Sequence, residues 1–83
     1  MNIYEQIAWE ILAYCENEDN SVNRLAFMRE KIMGALTAVE SNKRGAFLKE
    51  MLNSLIRVGT NQFSGSSEIL KRTIDEFTFL LPP

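Results

Sequence analysis

Apolar residues return at intervals of three and four along almost the whole chain, and no segment competes as a strand, so the sequence is restricted to an all-α fold. Ile3, Ile7 and Ile11 interleave with Tyr4, Ala8, Leu12 and Cys15, behind Asn2 and Glu5 spaced as an N-cap and its reciprocal carboxylate. That pattern predicts a first helix over 3–16. Leu25, Met28, Ile32, Ala35, Leu36 and Val39 mark a second over 21–40, capped by Asn20 or Ser21. Phe47, Leu48, Met51, Leu52, Leu55 and Ile56 mark a third over 45–58, closed by Gly59 at the C-cap. Ile69, Leu70, Ile74, Phe77, Leu80 and Leu81 mark a fourth over 67–80, stopped by Pro82 and Pro83. The expected architecture is a small antiparallel bundle of about four helices in one domain over 1–83. The turn from Ser41 to Gly45 is a weak break, which leaves a single bent helix as the other reading of helices 2 and 3.

With 83 residues the chain buries only about 60–65% of the surface it exposes when unfolded, so its own core is small. The hydrophobic share of 46% nevertheless separates it from disordered sequences. Its single cysteine supplies no staple, and the acidic amphipathic start has no signal-peptide pattern; both lead us to expect a cytoplasmic protein.

The sequence contains no histidine, which removes the commonest general acid–base group and metal ligand. Cys15 falls on the buried side of helix 1 beside Glu16, with no base to lower its pKa, and reads as a packing residue. The acidic run from Glu16 to Asn20 lacks the ligand order, mid-loop glycine and closing glutamate of a calcium loop. No enzyme and no cofactor are expected. The segment from Gly59 to Ser67 leads into a helix N-terminus and gives Phe63, Ser66 and Ser67 as candidates for holding an anion or small ligand, as in a ligand-sequestering bundle, without the Lys-Ser/Thr ending of a P-loop.

Several apolar residues fall outside the stripes. Trp9 lies across helix 1 from its apolar half, among Glu5, Gln6 and Glu16; it is a binding anchor or is covered by a neighbouring segment. In helix 2, Phe27, Gly34 and Ala38 lie opposite the heptad-spaced stripe, which marks either a central helix or a second face where another backbone approaches. Trp9, Glu5, Phe27, Gly34 and Ala38 are therefore the candidate protein interface, and a homodimer is the expected oligomer.

Charge is segregated: residues 1–23 carry five acids and no base, whereas residues 24–57 carry seven bases against three acids. Lys43, Arg44, Lys49, Asn53 and Arg57 give an alternative, a nucleic-acid-binding helix–turn–helix in the region of helices 2 and 3. The net charge of −2, with Glu40 and Glu50 interrupting the basic set, weighs against a large phosphate footprint.

No motif identifies a family. In size, acidity and helical content the chain resembles small four-helix inhibitors and immunity-type proteins of bacteria and phages, a compositional likeness without residue correspondence. The expectation that follows is a regulatory or inhibitory protein that acts by binding another protein.

Overall fold

The computed structural model describes residues 2–63 and 67–81, and these form a small all-α bundle of four helices. They are α1 (Ile3–Glu16), α2 (Ser21–Leu36), α3 (Arg44–Gln62) and α4 (Ser67–Thr78), with a 3-10 turn at Ser41–Lys43. The Cα radius of gyration, 11.9 Å, equals the roughly 12 Å of a compact chain this size.

Local chemistry sets the helix starts. The Asn2 side chain accepts from the Glu5 amide at 2.8 Å, and Asn20 accepts from the amides of Val22 and Asn23 at 2.8 and 3.3 Å, so Asn20 rather than Ser21 caps α2. Each cap satisfies donors that the first helical turn leaves unpaired.

Three boundaries depart from those the periodicity predicts. α2 stops at Leu36, not at residue 40: tight i→i+3 bonds bring Ala38 onto Ala35 and Val39 onto Leu36, and Glu40 is extended. Val39 still packs on the core from this turn, which is why the apolar spacing outlasts the helix. The extended Glu40 also makes α2 and α3 two helices, not one bent one. Gly59 does not cap α3, which continues to Gln62 with Gly59 buried inside it. A Cβ at Gly59 would enter the Leu70 side chain, 2.8 Å from Cδ2 and closer to Cδ1, so the glycine serves the close approach of α4. Finally, α4 ends at Thr78 rather than residue 80, and Phe79 to Leu81 follow in successive i→i+3 turns.

α1 and α3 form the central pair, and α4 packs across α1, α2 and α3. α2 lies on α1 and α4 and barely touches α3. The core joins Ala8, Ile11 and Leu12 of α1 to Met28 and Ile32 of α2, Met51 and Leu55 of α3, and Phe77 of α4. Burying such side chains supplies about 1.5–3 kcal/mol each, the main force holding the helices together.

One polar cluster crosses that core. Arg24, in register with Met28 and Ile32 at i, i+4, i+8, points inward, where its Nε and Nη2 donate to the Glu76 carboxylate at 2.9 and 2.5 Å. Its Nη1 donates to the Glu18 carbonyl at 2.7 Å. The guanidinium thereby ties α2 to α4 and to the turn after α1, and no buried side-chain polar atom among the described residues is left without a partner.

Candidate functional site

Trp9 is 40% exposed on the surface of α1, and its ring meets Phe63 edge-on at a centroid distance of 5.2 Å. The residue just beyond α3 thus shields one side of the indole, and Phe63 is half-buried in that contact. Glu5, half-buried in the first turn of α1, sits one turn before Trp9. Phe27 does not form a free second face. It stacks on Tyr14 at 4.1 Å with a 3° interplanar angle, and Lys31 caps its ring at 5.5 Å. Gly34 and Ala38 are exposed, and nothing lies within 4 Å of the position a Gly34 Cβ would take.

The basic candidates are exposed too, and three of them have local partners. Lys43 lies 3.9 Å from the Glu40 carboxylate, Arg44 donates to the Val39 carbonyl at 3.2 Å, and Arg57 donates to the Ser54 hydroxyl at 3.2 Å. Lys49 and Asn53 lie one turn apart on the solvent side of α3. A helix–turn–helix needs its two helices packed on each other to aim the second, and α2 and α3 lack that packing. Of the anion-loop candidates, Ser66 and the side chain of Ser67 lie outside the described residues. The Gly59 end of that segment is helical.

Cys15 is buried, and burial first of all pushes its thiol above the ordinary value, against the lowering effect of the nearby Thr73 and Arg24. A protonated, enclosed thiol is not a nucleophile. Partial burial, then the Glu18 carboxylate, raise the Tyr14 phenol in the same direction. Hydrogen bonding to Glu76 holds the Arg24 guanidinium above its usual value, so it stays charged throughout the accessible range. Among the described residues no group of three or more His, Cys, Asp or Glu is placed to hold a metal ion, and no helix is long and apolar enough to cross a membrane.

Two further exposed apolar side chains meet elsewhere, where the turn after α4 crosses α2 and the start of α3. Phe79 is 82% exposed and Met33 55%, and they flank a hollow of about 220 Å³ floored by Leu36, Leu48 and Leu80 with Arg29 at its edge. A second hollow of about 250 Å³ shares Leu48 and is lined by Gly45, Lys49, Leu52 and Leu81. Sequence reasoning missed this face. Met33 stands beside the stripe through Ile32 and Leu36, and Phe79 comes one residue before the stripe member Leu80. Both off-stripe positions were visible, but their adjacency depends on how α4 crosses α2. Neither a family model, nor a curated protein, nor a solved structure matches the chain.

Proposed function

We propose that this protein is a non-enzymatic regulatory or inhibitory protein that acts by binding another protein through the face centred on Met33 and Phe79. The observation that carries the reading is the 82% exposure of Phe79 next to exposed Met33 at one apolar hollow, with a second hollow on the other side of Leu48. Large aromatic and methionine side chains held in water at the rim of apolar hollows are costly for a monomer and are what an interface core is made of. Trp9 with exposed Gly34 at the end of α2 and Ala38 in the turn after it is where the homodimer expected from the sequence would form.

A photo-crosslinking residue at position 79, tested in an extract of the source cells against the same residue at Asn53, measures this directly. A discrete adduct from position 79 alone is expected. Equal labelling from both positions, or none from position 79, refutes the assignment. Sedimentation equilibrium over a concentration series, comparing the wild type with Trp9→Ala and Phe79→Ser, tells self-association from binding to a different protein.

A further inference from the structure

Resting on that reading, we propose that the occupant of the Met33–Phe79 face is an acidic amphipathic helix presented by a partner protein. Three observations select it. First, each hollow, at about 220 and 250 Å³, falls below the roughly 300–1,000 Å³ of a small-molecule site and suits one large side chain. Two such hollows, separate but sharing Leu48 as a wall, match successive anchors on one stripe of a helix. Second, the charged residues lining them are Arg29 at the first and Lys49 at the second, both exposed and both cationic. Carboxylates flanking an apolar stripe complete that arrangement, and they speed encounter as well as select the partner. Third, the same two cations oppose a second copy here. A two-fold contact through this face offers Arg29 and Lys49 no carboxylate from the hollows of the other copy, whose only charged lining residues are the same two cations.

The concavity also favours a helix over a lipid surface, which offers no protruding side chains to fill the hollows.

The test uses a designed helical peptide with leucines at i, i+4 and i+7 flanked by glutamates, and its twin with lysines in place of the glutamates. Binding is followed by amide chemical-shift mapping on the full-length protein. The glutamate peptide is expected to shift Met33, Leu48 and Phe79, and to bind at least about tenfold more tightly than the lysine peptide at low salt, with the gap closing at high salt. Arg29→Glu combined with Lys49→Glu, both at exposed positions, is expected to reverse the preference, and Phe79→Ser to abolish binding with the helical circular dichroism intact.

Equal binding of the two peptides at this face overturns the acidic occupant but leaves a protein-binding face in place. Shifts at Met33 and Phe79 produced by phosphatidylserine-containing vesicles and by neither peptide overturn both readings in favour of a lipid surface. A wild-type dimer that Phe79→Ser dissociates assigns the face to a second copy and overturns the proposal. No shift with any of these probes overturns it as well.

Discussion

Removing Glu76 from its pair with Arg24 tests how the bundle is closed. The two side chains are 5% and 13% exposed, and the carboxylate takes two of the three hydrogen bonds that the guanidinium makes. Glu76→Ala leaves a buried cation with only the Glu18 carbonyl, and breaking a buried pair from one side costs about 3–5 kcal/mol. The retained carbonyl bond and the slight exposure of Glu76 put the expected loss at the lower end, about 3 kcal/mol. A chain this size has roughly 4–12 kcal/mol in all, so the variant gives up between about a quarter and three quarters of it. In urea, with a slope of about 1 kcal/mol/M, the midpoint falls by about 3 M. Arg24→Met with Glu76→Leu removes both charges and fills the space with apolar atoms, and it is expected to recover most of that loss. If Glu76→Ala costs less than about 1 kcal/mol, as a solvated surface pair does, the pair is not a structural closure and the reasoning fails.

Four further outcomes follow from the geometry. Gly59→Ala gains about 1 kcal/mol of helix propensity but drives a methyl group into Leu70, at about 1–3 kcal/mol; it should destabilise the wild type and stabilise a Leu70→Ala background, and the same sign in both by urea unfolding refutes the close approach. Because burial raises the Cys15 thiol and partial burial with Glu18 raises the Tyr14 phenol, the fold binds these protons more tightly than the unfolded chain does. The corresponding stability is complete below about pH 8.5 and declines as pH rises through the thiol and then the phenol range; Cys15→Ala should flatten the first part of that fall and Tyr14→Phe the second, and unchanged slopes refute it. Trp9→Ala should keep its helical circular dichroism and lose about 1–2 kcal/mol, the worth of a partly buried indole edge-on to Phe63, whereas global unfolding would mean the indole is core. Duplex DNA at low salt should show no retardation and no sensitivity to Lys43→Ala; a steeply salt-dependent shift would restore the helix–turn–helix reading.

The four helices were legible because burial on one side leaves a 3.6-residue period in the sequence, and every core residue named for α1 to α4 belongs to such a stripe. Ends were less legible. Val39 packs on the core from a turn, so apolar spacing alone placed the end of α2 too late. Gly59 is compatible with a C-cap and with a close helix contact, and only the position of Leu70 separates the two. Arg24 shares the Met28–Ile32 register, a signal for an inward charge, but its partner lies 52 residues away and no local pattern names it. For the same reason Phe27 looked like a free face: its stacking partner, Tyr14, is on another helix. The Met33–Phe79 face is likewise a product of helix crossing, and it leaves no period of its own.

The placement of α1 against α3 bears on how the chain is made. During synthesis the α1–α2 hairpin emerges first, yet the face of α1 that it must cover is buried mainly by α3. The nascent chain therefore has no complete core until α3 has cleared the ribosome. Arg24 in turn finds its carboxylate only when α4 packs, because Glu76 lies 52 residues further along the chain. Burying the Arg24 guanidinium before α4 docks would leave a desolvated cation without its carboxylate, so the part of the core around Arg24 closes only as α4 packs against α2.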